Sequence, residues 1–178
     1  MVLITLRTLR LMPKPTTLDP TVRALVEKLG GVTEREGMPR IAGMIFALML
    51  VRDEEYTLAD LKRLLDTSHG SVSSNTRMLE EKGVLERVVR LDSRRTRFRL
   101  ARDPYSGLWN GRLQRLREAR TAVAEARAAL LDEGKPLHPR MDEIDRFYDI
   151  YIRMLEQSLS IWRQLRPVAD DLGLIASQ

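Results

Sequence analysis

"SHGSVSSNTRMLEEKG", residues 68–83, decides how this chain folds. Val72, Thr76 and Leu79 recur at i, i+4 and i+7, the spacing of one buried helix face. Ser68 suits an N-cap, and Gly83 suits the position just past a helix end, where the left-handed backbone costs glycine little. The remaining surface is small and neutral: Gly70, Ser71, Ser73, Ser74 and Asn75, then Arg77. Serine and asparagine are mediocre helix formers, because their side chains compete for nearby backbone groups. A helix that only faced water would carry Glu, Lys or Gln there, so this slim, hydrogen-bonding face needs another reason.

The neighbours supply one. Just upstream, Thr57 opens "TLADLKRLLD" as an N-cap with Asp60 three residues later, a capping-box arrangement, and Leu58, Leu61, Leu64 and Leu65 form a buried stripe. Two short helices joined by Asp66-Thr67 outline a helix-turn-helix. After Gly83 the period changes to two, with Leu85, Val89 and Leu91 in one run and Phe98 and Leu100 in the next, so "VLERVVRLDSRRTRFRL" reads as a β-hairpin turning over Asp92 to Arg95. From Arg87 to Arg102 there are seven arginines against the single acid Asp92. A helix-turn-helix followed by a basic hairpin is a winged helix. The slim helix then fits the DNA major groove, and the arginines fit the phosphate backbone and the adjacent minor groove.

Upstream again, Asp19 to Glu36 reads as a helix with Val22, Leu25, Val26 and Leu29 on one face, interrupted or restarted at Gly30-Gly31. "GMPRIAGMIFALMLVRDEEY" follows, with Pro39 as the first residue of a helix apolar nearly all round. Beyond the hairpin, two long helix patterns, Ser106 to Glu133 and Met141 to Arg166, flank "DEGKPLHP". Their apolar faces have too little of their own chain to bury against, which implies a second copy. The expected divisions are 1–18, a tail or strand with no assigned role; 19–103, the winged helix-turn-helix; and 104–178, the helical dimerisation region.

Composition excludes much else. The 178 residues carry 30 Lys and Arg against 25 Asp and Glu, a net +5, and no cysteine, so disulfides, thiolate catalysis and cysteine-ligated zinc are out. The two histidines, His69 and His138, have no metal-ligand spacing, and no phosphate-loop, dinucleotide or hydrolase motif occurs. Neither an enzyme nor a cofactor is expected. No apolar run approaches the length of a membrane span, and the apolar start "MVLITLRTLRLMPKP" is interrupted by Arg7 and Arg10, so a cytoplasmic protein is expected.

"GMPRIAGMIFALML", "LADLKRLLDTSHGSVSSNTRMLEEKGVLERV" and the arginine wing resemble the MarR-type winged-helix regulators, in particular the GbsR-like branch with its G-x-P-R segment and S-x-G-S-V-S recognition helix. The resemblance covers Asp19 to Leu100 and implies a homodimeric DNA-binding regulator, in some relatives a repressor answering to a small molecule. Family wings often carry a glycine before the basic pair, where this chain has Asp92-Ser93.

Base readout is thus expected of Ser71, Ser73, Ser74 and Arg77. Backbone anchoring is expected of Ser68, His69, Arg94, Arg95 and Arg97, and of Arg40 at a helix start unless an internal acid holds it. Six of the nine aromatics, Tyr105, Trp109, Phe147, Tyr148, Tyr151 and Trp162, lie beyond the hairpin. Trp109, Tyr148, Tyr151 and Trp162 are either core and dimer interface, which helical spacing favours, or the walls of a cation–π site for a quaternary ammonium effector. The acidic run Asp142, Glu143, Asp145 and Asp149 reads as a solvated helix start. The expectation is therefore a mainly helical repressor, homodimeric on double-stranded DNA. A winged helix that binds RNA or another protein is the alternative.

Overall fold

The computed structural model describes residues 17–90 and 93–171. It is mainly helical, with one antiparallel hairpin. The elements run α1 (Pro20–Arg35), α2 (Arg40–Arg52), α3 (Leu58–Leu65), α4 (His69–Glu81), β1 (Leu85–Arg90), β2 (Ser93–Leu100), α5 (Pro104–Asp132) and α6 (Arg140–Asp171). They fall into two compact units. Of the described residues, one unit holds 17–80 with the hairpin strands between Leu85 and Leu100, and the other holds Glu81–Val84 and 101–171. Among the described residues no helix is long and apolar enough to cross a membrane.

In the first unit α1 is unbroken, contrary to the interruption expected at Gly30-Gly31. Gly30 is buried against α2: a Cβ there would lie 2.5 Å from Met44 Cγ and 3.1 Å from the Arg40 carbonyl oxygen. The glycine admits a close helix approach and does not end the helix. Pro39 is the N-cap of α2 and Arg40 its first residue, one position later than expected. Helix α2 is the centre of the unit, with Ala42, Ile45, Ala47, Leu48 and Met49 at 0% exposure. The Thr57–Asp60 capping box closes in both directions, with Thr57 N–H donating to Asp60 Oδ2 at 3.0 Å and Asp60 N–H to Thr57 Oγ1 at 3.1 Å. Such a cap is worth about 1 kcal/mol.

The hairpin is tighter than its sequence suggests. Arg90 pairs with Ser93, so only residues 91 and 92 lie between the strands, and β2 begins inside the segment expected to turn. The expected role of Leu91 falls outside the described residues. A register shift between Val88 and Arg90 breaks the alternation. Val89 is consequently 78% exposed, whereas Leu85, Phe98 and Leu100 form the buried root. Phe98 is also tied through both its N–H and its C=O to Tyr56, at 2.8 Å each, adding an isolated one-residue bridge on the outer side of β2.

In the second unit α5 packs on α6. Asp103 caps α5, accepting from Ser106 N–H at 3.1 Å and from the Ser106 hydroxyl. Gly107, one turn in, lies against the chain that leaves α4: a Cβ there would sit 2.3 Å from the Lys82 carbonyl oxygen. Backbone cannot yield as a flexible side chain can. Gly107→Ala is expected to destabilise the protein by about 1–3 kcal/mol despite alanine's better helix propensity, read as a lower urea midpoint. An unchanged or higher midpoint would refute that close packing.

Candidate nucleic-acid interface

Helix α4 forms as its sequence implies. Ser68 Oγ accepts from Ser71 N–H at 3.1 Å, satisfying one of the donors left open at a helix start. Val72, Thr76 and Leu79 are buried, and Gly83 follows the helix at φ +68°. Ser68, His69, Gly70, Ser74 and Arg77 are exposed; Ser71 and Ser73 are half-buried. Asn75 departs from the expected outward face. It is buried, with its side-chain amide donating to the Ser71 carbonyl at 2.8 Å, and Ser74 Oγ donates to the same carbonyl at 3.2 Å. The Ser71 carbonyl is thereby engaged within the helix, and the exposed polar side chains of α4 are those of His69, Ser74, Arg77 and Glu81.

The basic character of the wing is less uniform than its composition. Arg87 Nε and Nη2 donate to the two carboxylate oxygens of Glu80 at 3.0 Å each, and Arg99 pairs with Glu86, directly opposite it across the hairpin, at 3.1 Å. Two of the seven arginines are thus held by acids that lie just upstream of the arginine-rich run. Arg95 is exposed near the tip. Arg97 is half-buried opposite Val88, and its Nε is enclosed without a hydrogen-bond partner among the described residues. Arg94 lies on β2, but its side chain falls outside the described residues. Arg40 is exposed at the first turn of α2.

The expected reading residues therefore share α4 and its cap, and Arg94, Arg95 and Arg97 share one strand. The aromatic candidates separate. In one set Trp162 stacks edge-on against Tyr105 at 5.1 Å and Trp109 at 6.4 Å, with its indole N–H donating to Asp103 at 3.0 Å. Burial raises the Asp103 pKa, but bonds from the Ser106 hydroxyl, the Trp162 indole and the Ser106 N–H, with the charge of Arg166, outweigh it and hold the carboxyl below its usual 3.8. In the other set Phe147 packs against Tyr148 and Tyr151, and Arg112 both donates to the Tyr151 hydroxyl and lies over its ring at 5.5 Å.

Sequence reasoning missed the ladder between α5 and α6. Arg117 pairs with Glu156 at 2.6 Å, Arg120 with Asp145 at 3.0 Å and Asp149 at 2.7 Å, and Arg127 with Asp142 at 3.1 Å. All of these but Asp142 line an open groove of about 890 Å³, together with Val123 and Ile152. The acidic run thus serves largely in interhelical pairing. A signal existed in the arginines of α5 recurring at three- and seven-residue steps opposite it. Among the described residues no cluster of His, Asp or Glu is placed to hold a metal ion.

Comparison with known proteins agrees with this geometry. Residues 44–102 match the family described as winged helix DNA-binding domain. The chain is 30% identical over 123 residues to the HTH-type transcriptional regulator MmpR5 of Mycobacterium tuberculosis, spanning 68% of this chain and 74% of that protein. A crystal structure of a transcriptional regulator superposes with a TM-score of 0.67 at 28% identity, covering 82% of this chain and 99% of the other. By its helix-turn-helix, its wing and these relatives, the chain belongs to the winged-helix family of HTH-type transcriptional regulators.

Proposed function

We propose that the chain is a homodimeric repressor of the GbsR-like, MarR-type branch, acting at a pseudo-palindromic operator whose half-sites lie about 10 bp apart. The observation that carries the DNA-reading half of this proposal is α4 itself, a capped helix whose exposed positions are His69, Gly70, Ser74, Arg77 and, at its end, Glu81. Arg77, with the Ser71, Ser73 and Ser74 hydroxyls, meets base edges in the major groove. Ser68, His69, Arg94, Arg95, Arg97 and Arg40 meet phosphates and fix the register without reading sequence.

The dimer rests on a second feature. On α6, Ile144, Phe147, Ile150, Met154, Ile161 and Leu165 are each at least 39% exposed, at steps of three, four and seven. That stripe is about 32 Å long and has the spacing of a helix–helix seam. Repression follows by occupying promoter DNA. An effector regulates the repressor if it favours one separation of the two recognition helices over another. Trp109 and Trp162, with Tyr105, are the candidate walls of its site, and Tyr148 and Tyr151 form a separate candidate set.

The test is fluorescence anisotropy with a duplex selected from random DNA and with a scrambled duplex, at two salt concentrations. The natural chain should prefer the selected duplex at both. Arg94→Ala/Arg95→Ala should weaken binding to both duplexes and reduce the salt slope by about 2. Failure to select any duplex would refute the reading in favour of an interaction module, and preference for structured RNA would refute it in favour of an RNA-binding wing.

A further inference from the structure

The wing and the recognition helix are joined by a side-chain contact that phosphate anchoring does not require. Glu80 lies in the last turn of α4, where a carboxylate meets the negative end of the helix dipole. Arg87 lies on β1 directly opposite Phe98. Its guanidinium is engaged on two sides. Two N–H groups grip both Glu80 oxygens at 3.0 Å, and its carbon sits 5.7 Å from the Phe98 ring centroid. Phe98 is the buried root of the wing, fastened by two backbone hydrogen bonds to Tyr56. The fork of Arg87 therefore ties the end of the recognition helix to the most firmly held point of the hairpin.

We infer that the Glu80–Arg87 pair is a positioning clasp that sets the recognition helix against the wing, and so determines which operator sequences satisfy both at once. This rests on the proposed reading of α4 and the wing as the DNA-contacting elements. Phosphates recur along every duplex, so a wing that shifts finds another phosphate and loses little affinity. A helix that shifts meets the wrong base edges. Loosening the clasp should erode selectivity more than affinity.

Two full-length variants test it. Arg87→Lys keeps the charge and the ring contact but loses the two-pronged grip. Glu80→Gln keeps a hydrogen-bond acceptor but loses the charge. Each is measured against the duplex selected by the natural chain and against its scramble, with the salt slope and the melting temperature. The clasp predicts that both variants lower the ratio of the two affinities about fivefold or more, the size of one misread base pair, at an unchanged salt slope.

Three results would overturn it. A ratio within twofold of the natural chain's in both variants, with or without a lower melting temperature, would make the pair merely structural. Tighter binding of Glu80→Gln to both duplexes at an unchanged ratio would make Arg87 a phosphate contact that Glu80 competes for. If the natural chain selects no duplex at all, the DNA reading itself fails and the clasp falls with it, a result distinct from the other two.

Discussion

With Ile150 and Met154 both replaced by Glu, the chain should sediment as a monomer under conditions where the proposed dimer of the natural sequence forms. Its affinity for a duplex carrying two half-sites should fall about 100- to 10,000-fold, while binding to a single half-site changes little. The argument is energetic. Both side chains are about three-fifths exposed in the single chain, Ile150 at 59% and Met154 at 61%, so the replacements cost the isolated fold little. In a symmetric pair the two substitutions would place four carboxylates, two from each chain, in an apolar seam. Losing the pair converts a second, tethered contact with DNA into an independent one. Analytical ultracentrifugation with anisotropy on one- and two-site duplexes measures both effects. A variant that still sediments as a dimer would remove α6 from the interface.

The largest loss of stability is expected at Tyr56. The residue is 1% exposed, and its backbone forms the isolated antiparallel bridge to Phe98. Tyr56→Ala should cost about 3–5 kcal/mol, as is usual for removing a buried aromatic, and that is a large share of a small domain's total. Denaturant unfolding followed by circular dichroism reads it, and a loss below 1 kcal/mol would contradict the burial. Tyr56→Phe separates the ring from the hydroxyl. Burial first, then the nearby Glu54 carboxylate, pushes the phenol pKa well above its ordinary 10, with Arg52 opposing. A folded-state pKa above the unfolded one leaves stability intact below about pH 10, and stability is lost as pH rises beyond that value. The natural chain should therefore lose stability in strong alkali faster than Tyr56→Phe.

Most of the DNA-facing unit was legible because its signals are local. Thr57 with Asp60, Ser68 with Gly83, and the Val72–Thr76–Leu79 stripe each state their geometry within a turn or two. What stayed hidden depends on partners remote from that window. Gly30 looked like a break because its reason for being small is Met44, in the next helix. Val89 matched an alternating pattern, but the shift between Val88 and Arg90 moved it out to solvent. Asn75 looked outward until its amide found the Ser71 carbonyl. The wing's charge was overstated because Glu80 and Glu86 sit just before the arginine-rich stretch, and the acids of α6 looked solvated until α5 lay beside them.

The division of the chain also bears on how such a regulator can be re-engineered. Residues 81–84 are sequence-internal to the DNA-facing unit yet belong to the other one, where Ala101 N–H donates to the Val84 carbonyl at 3.0 Å and Gly107 abuts Lys82. The winged helix is therefore not a cassette. A fragment ended at Leu100, or a chimera joined there, would carry a tetrapeptide stripped of its natural neighbours. Grafting a new operator specificity onto this scaffold calls for substitution on the surface of α4, with the crossover points left intact.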